Sequence, residues 1–311
     1  MTRRRFTAAL AGLTLALALA GCGGGGGSKS STTRQPAPPI TIGTKNFPEQ
    51  FVLGELYRQA LEANGFRVVL KSDIGSSEIV DRALTAGGLD MYPEYTGVLL
   101  SEIAGRRRKP RGAEAAYRSA KQFEETRGFT LLAMTPFSDS NALAVTPAFA
   151  RRHGLRSIGD LRRVPGGAVI GAPPEFRTRF EGLVGLRSVY GLRDVSVRAF
   201  KIGAQYAALA RGKVQAAAVF TTDGQLTQGR YTLLADPRRL FAFQNVAPVI
   251  RERLAARFPK LVSVIDAVSA KVTTQAMREM NAAVALRGEK PAAVAARFLR
   301  GAGLMRPGGG G

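Results

Sequence analysis

Ile40-Thr41-Ile42-Gly43-Thr44-Lys45-Asn46-Phe47-Pro48-Glu49-Gln50 reads as a short strand that turns directly into a helix. Ile40 to Ile42 is a β-branched run ahead of a glycine. Asn46 can cap a helix with Glu49 three residues on, and Phe51, Leu53, Leu56, Tyr57, Ala60 and Leu61 recur at helical spacing until Gly65 stops it. Val68 to Leu70 then reads as a second strand. Ile74-Gly75-Ser76-Ser77 leads into a helix ending at Gly87-Gly88, and Leu89 to Met91 gives a third strand ahead of Tyr92-Pro93-Glu94-Tyr95-Thr96-Gly97. This βα rhythm predicts an α/β fold with parallel sheets covered on both faces. Ligand sites in such folds form on loops at the carboxyl ends of strands, which places the segments after Gly43, Leu70 and Met91 on one rim.

The rhythm resumes with strand-like Leu143 to Val145, Val169 to Ile170, Val195 to Val197 and Val214 to Phe220, which predicts a second domain. Beyond Val249 the pattern is helical, with periodic segments near Arg251 to Phe258, Leu261 to Val272, Thr274 to Leu286 and Pro291 to Leu299. This tail is expected to return and cover the first domain.

The amino terminus has the layout of an export signal: Arg3, Arg4 and Arg5 precede an uncharged Ala- and Leu-rich stretch from Phe6 to Ala20. That stretch is too short for a comfortable membrane span. It ends in Leu19-Ala20-Gly21-Cys22, which resembles a bacterial lipobox in which Cys22 is lipidated and becomes the first residue of the mature chain. A flexible Gly- and Pro-containing linker follows, to Pro39. The arginines also resemble a twin-arginine signal, so the export route stays open. The expected location is the extracytoplasmic face of the cell membrane, held there by lipid.

Cys22 is the only cysteine, so none is left for a disulfide, a zinc site or thiol catalysis, and His153 is the only histidine. No cofactor, metal site or catalytic residue is expected. The formal charge is +22, and loss of Arg3, Arg4 and Arg5 with the signal peptide takes it to +19. On an exported lipoprotein such a charge faces anionic lipid and wall polymers rather than nucleic acid. Arginine spread as a solvated face explains it equally well. Arg106-Arg107-Arg108-Lys109-Pro110-Arg111 reads as an exposed loop.

The run Ile42 to Gln50, together with Ile74-Gly75-Ser76-Ser77-Glu78-Ile79 and Tyr92-Pro93-Glu94-Tyr95-Thr96-Gly97, resembles the substrate-binding proteins of osmoprotectant ABC importers, which take up glycine betaine, proline betaine, carnitine or choline. Gly171-Ala172-Pro173-Pro174-Glu175-Phe176, Thr222-Asp223-Gly224 and Ala247-Pro248-Val249 are similar to further motifs of that family in the same order. The resemblance implies a two-lobed periplasmic-binding-protein-like (type II) α/β fold, with a hinge and a ligand cleft between lobes. It places a signal peptide at 1–21, a linker at 22–39, one lobe at 40–143 plus 247–306, the other at 144–246, and a flexible tail at 307–311. The implied partners are a small zwitterionic or cationic solute and the subunits of an ABC permease, and no enzyme activity is implied.

The family's ligand site joins an aromatic box to basic groups. A trimethylammonium has no N–H to donate, so ring faces recognise it by cation–π attraction while a fixed cation pairs with the carboxylate. Matched motif by motif, the four box tyrosines fall on Tyr95, Asn141, Phe220 and Gln244, the carboxylate-binding lysine on Lys45 and the arginine on Arg179, and a family threonine on Val98. Arg177 competes with Arg179. Asp139 and Asp223 either hold loops or face a cationic group. Two missing ring faces weaken a betaine unless Phe243, Phe137 or Tyr92 fills the gap, or unless the amides of Asn141 and Gln244 serve another polar solute, such as ergothioneine or an amino-acid derivative.

Overall fold

The structure, a computed structural model, describes residues 39–305 except 108, 109 and 242. The expected signal peptide, Cys22 and the expected carboxyl-terminal tail lie outside the described residues. The rest is built on two five-stranded sheets.

The first sheet contains β1 (Ile40–Gly43), β2 (Val68–Lys71), β3 (Met91–Tyr95), β4 (Phe129–Leu131) and β10 (Val246–Arg251), in the order β2-β1-β3-β10-β4. The second contains β5 (Asn141–Val145), β6 (Val169–Ala172), β7 (Ser196–Ala199), β8 (Ala216–Phe220) and β9 (Thr232–Leu233), in the order β7-β6-β8-β5-β9. The βα units pair in parallel, as expected: β1 with β2 and β3, and β6 with β7 and β8. The sheets are nevertheless mixed. β10 runs antiparallel to β3 and β4, and β5 runs antiparallel to β8 and β9. β5 and β10 are the strands the chain enters after passing from one sheet to the other, so each arrives without a helical crossover and runs reversed.

The passages lie between Leu131 and Asn141 and between Leu233 and Val246, where Ser138 and Asn245 form an antiparallel bridge. All of β5 belongs to the second sheet, so the first passage falls before Asn141, earlier than the boundary at 143/144. β3 also runs further than its sequence suggests. Pro93 reads as a strand end, yet it sits inside β3 opposite Pro248, so two residues without N–H groups face each other.

The central strands of each sheet are buried on both faces, which is why strands such as Val246 to Ile250 read as continuous apolar runs. On one face of the first sheet, Ile42, Met91 and Ile250 pack under α1 (Pro48–Ala63). The tail helices α2 (Pro259–Lys271), α3 (Thr274–Arg287) and α4 (Pro291–Gly301) pack there through Ile265, Met277 and Leu299, so the tail covers the first lobe. α1 starts at Pro48, whose missing N–H costs nothing in a first turn, and its cap position is Phe47, not Asn46.

The lobes also touch away from the passages. Gly224, just after β8, lies so close to α3 that a Cβ there would sit 2.5 Å from Ala282 Cα and 2.7 Å from its nitrogen. Gly224→Ala is expected to force this loop off α3, with overpacking of about 1–3 kcal/mol relieved by partial opening of the lobes. Small-angle scattering should show a larger radius of gyration than for the unsubstituted protein.

Candidate functional site

The loops after β1, β3 and β8 meet between the lobes, and three rings lie nearly parallel there. Phe47 stacks on Phe220 of the second lobe with centroids 5.3 Å apart and planes 20° apart. It also stacks on Tyr95 of its own lobe at 6.3 Å and 18°. Lys45 Nζ stands 4.0 Å from the centroid of Tyr95, within cation–π range. Tyr95 and Phe220 are thus brought together as expected, through a ring that sequence reasoning missed. Phe47 carries the signal for its role in its position, between Lys45 and the proline that starts α1. Phe137 and Tyr92 are fully buried in the core, and Phe243 is 46% exposed and lines a different cavity, so none of the three fills the gap.

The two expected cations line the cleft, and each already has a carboxylate. Lys45 Nζ bonds Glu94, a fully buried residue of β3 whose Oε1 also accepts the Tyr95 N–H at 2.7 Å. Burial lowers the Lys45 ammonium from its ordinary range while Glu94 pulls it back up. Arg179 donates from Nε and Nη2 to the two carboxylate oxygens of Glu78 at 3.1 and 2.8 Å, from the second lobe to the first. Burial pushes the Glu78 carboxyl up, but the guanidinium outweighs it and holds the group at about 2. Arg177 is exposed and donates to the Val197 carbonyl, so it does not join the cleft.

Asn141 and Gln244 converge on one partner. Asn141 Nδ2 and Gln244 Nε2 donate to Glu181 Oε2 at 3.0 and 3.1 Å, and Gln244 Oε1 accepts the Val98 N–H at 3.0 Å. In place of two ring faces the wall has two amides engaged by a buried carboxylate that the sequence reading did not single out.

Three further acids sit behind the rings. Glu49, on the first turn of α1, accepts from the Tyr95 hydroxyl at 2.8 Å, from Asn281 Nδ2 at 2.8 Å, and from the Thr222 hydroxyl. Asp139 Oδ1 accepts the Thr222 N–H at 3.1 Å, and Asp223 Oδ2 accepts from the Tyr206 hydroxyl at 2.6 Å and the Phe220 N–H at 3.0 Å. Burial raises all three carboxyls, Asp223 to about 6. Asp139 and Asp223 therefore hold loops beside the cleft.

The free space among Lys45, Phe47, Tyr95, Asn141, Arg179 and Phe220 is small, about 40 Å3. A larger cavity of about 680 Å3, lined by Arg107, Arg111, Arg238 and Arg239 with Phe180 and Phe241, has no residue of the ring stack. Size alone does not choose the site; the convergence of rings and buried charge at the strand ends does. Among the described residues no group of His, Cys, Asp and Glu could hold a metal ion.

The Asp223 carboxyl keeps its proton up to about pH 6 in the folded protein, whereas its ordinary value is 3.8. Folding takes up a proton between those values, so stability falls as pH rises from about 4 to 6. Asp223→Asn keeps both hydrogen bonds through its amide oxygen. It is expected to gain about 1–3 kcal/mol at pH 7 and to flatten that slope, measured by urea unfolding across pH.

A family model described as the substrate binding domain of an ABC-type glycine betaine transport system matches residues 38–301. The glycine-betaine-binding protein of Pseudomonas aeruginosa is 33% identical over 272 residues, covering 84% of this chain and 87% of that one. The glycine betaine-binding protein YehZ of Escherichia coli is 29% identical over 293 residues, covering 88% and 93%. The solved structure of unliganded YehZ superposes with a TM-score of 0.63 at 28% identity, covering 86% of this chain and all of that one. With the two mixed sheets and the strand-end cleft, this match places the chain in the family of substrate-binding domains of ABC-type glycine betaine transport systems.

Proposed function

We propose that this chain is the extracytoplasmic receptor of an ABC importer and captures a small methylated ammonium solute of the glycine betaine class between its two lobes. The observation that carries this reading is the Lys45 ammonium, 4.0 Å over Tyr95 in a three-ring stack that both lobes build. A cation thus already sits at cation–π range in this stack, and the Phe47 and Phe220 rings continue it with faces for a trimethylammonium. Family membership supports the class of solute, and it makes the chain a transporter component rather than an enzyme.

Entry of a betaine parts the lobes, because about 40 Å3 cannot hold one. Opening breaks the Arg179–Glu78 pair and the Thr222–Glu49 hydrogen bond, both of which cross the cleft. Contacts from both lobes to the solute then favour reclosure, a population shift that contacts from a single lobe could not drive. Lys45, Tyr95, Phe47, Arg179 and Phe220 are the residues assigned to the solute, with Asn141 and Gln244 closing the wall. The closed form is the one presented to the permease.

Calorimetry with glycine betaine on the purified protein is the direct test. Binding should weaken about twofold to thirtyfold in Phe47→Ala and in Phe220→Ala, since each ring face contributes about 0.5–2 kcal/mol and about 1.4 kcal/mol is a decade. Absence of any heat from glycine betaine, carnitine or choline with a folded protein would overturn the solute class.

Tethering rests on Cys22. In this reading, lipid on its thiol holds the protein at the membrane and the linker to Pro39 gives it reach, while the basic body faces anionic headgroups. No described helix is long and apolar enough to cross a membrane. Cys22→Ser should move the protein from the membrane pellet to the soluble fraction on cell fractionation, and unchanged pelleting after a high-salt wash would count against the anchor.

A further inference from the structure

Behind the ring stack the cleft continues into a second, smaller pocket. It has about 20 Å3 of free space, enough for one water-sized group, and shares Phe47, Asp139, Ile202 and Phe220 with the cleft. Its other walls include Glu49, Asp223 and Asn281. Three carboxylates thus line a pocket without a lysine or arginine, inside a protein of net charge +22.

One buried acceptor on these walls, Asn281 Oδ1, lacks a donor among the described residues. Asn281 is 4% exposed; its Nδ2 serves Glu49 and the Thr222 carbonyl at 2.8 and 3.0 Å, and its Oδ1 is buried with no partner. Asp139 is 3% exposed, and its Oδ1 accepts the Thr222 N–H. A buried acceptor without a donor costs about 1–3 kcal/mol, so a ligand that brings a donor recovers what the fold leaves unspent. The same walls do not offer the group of ligands that a metal ion requires.

We propose that this pocket receives a hydrogen-bond donor on the solute's cationic end, an ammonium N–H, so that the protein favours tertiary or less substituted ammonium zwitterions over fully quaternary ones. The proposal rests on the solute class assigned above and narrows it. A quaternary ammonium presents only methyl groups, which leave Asn281 Oδ1 as it is. One N–H in place of a methyl satisfies an acceptor and keeps the charge on the ring faces. Burial, with Glu49 and Asp223 alongside, holds the Asp139 carboxyl well above its ordinary range, and an entering N–H cation relieves that.

N,N-dimethylglycine and glycine betaine differ by one methyl against one N–H, and their affinities for the full chain, measured by calorimetry at neutral pH, decide the matter. Dimethylglycine is expected to bind at least as tightly as glycine betaine. Asp139→Asn retains an acceptor for the Thr222 N–H but turns Oδ2 into a donor, and should shift the ratio at least tenfold toward betaine. The proposal falls if the unsubstituted protein binds betaine tenfold or more tightly than dimethylglycine, or if a folded Asp139→Asn leaves the ratio unmoved. Binding of neither solute to folded protein would instead remove the solute class itself, and this inference with it.

Discussion

The cleft depends on one buried carboxylate. Glu49 is 3% exposed, and its two oxygens collect a hydroxyl from Tyr95, a hydroxyl from Thr222 and an amide from Asn281. Only an acceptor without donors of its own can take all three, because a glutamine would turn an NH2 toward a group that is already donating. The three partners come from the end of β3, from the loop after β8 in the other lobe, and from α3. A single side chain therefore sets the tilt of the Tyr95 ring, ties the lobes and fixes α3 against the second lobe. Since Glu49 belongs to the first turn of α1, the start of that helix at Pro48 also sets where Phe47 projects. The ring stack is a consequence of where one helix begins.

Charge is distributed in opposition. The whole chain carries +22, yet Glu49, Glu94, Asp139, Glu181 and Asp223 surround a cleft whose two cations are already paired with acids. At long range a basic surface repels a bare cation, and within a Debye length of about 8–10 Å the local acids take over. A zwitterion, with no net charge, pays nothing on approach and can still place its ammonium among rings and carboxylates. The same arrangement disfavours simple polyamines, which meet the exterior field first.

Much of this was legible in the residues. The strands read from β-branched and alanine-rich runs between glycines, the tail helices from apolar spacing, and the rim from the motifs after β1 and β3. The parts that escaped share a physical cause. Pro93 looks like the end of a strand because its neighbours in space are invisible, and only Pro248 opposite it makes a strand with a proline acceptable. β10 was hidden because a reversed strand after a passage has no helix to announce it. The gathering of Lys45, Tyr95, Arg179 and Phe220 at one cleft was readable from motif positions. Glu181 and Glu49 were not, since a lone glutamate in a sequence says nothing of the donors that will converge on it. Phe47 was visible as a residue but read as part of a helix entry, because stacking between lobes is a long-range fact.

The pairing of both cations bears on how a carboxylated solute is held. Lys45 and Glu94 are almost wholly buried together, and separating them strands a charge in the interior, a loss of about 3–5 kcal/mol for buried pairs. The Glu78 side chain is 30% exposed, so it can turn to water when Arg179 lets go. The two basic residues are therefore unequal. Arg179 can exchange its protein carboxylate for one on the solute at little cost, and it sits on the lobe that moves relative to Tyr95. Lys45 keeps Glu94 and stays on the Tyr95 ring, where its charge favours an anion nearby and opposes a cation on that same face. A solute ammonium is driven toward the Phe47 and Phe220 side of the stack, which is the side that opens onto Asp139.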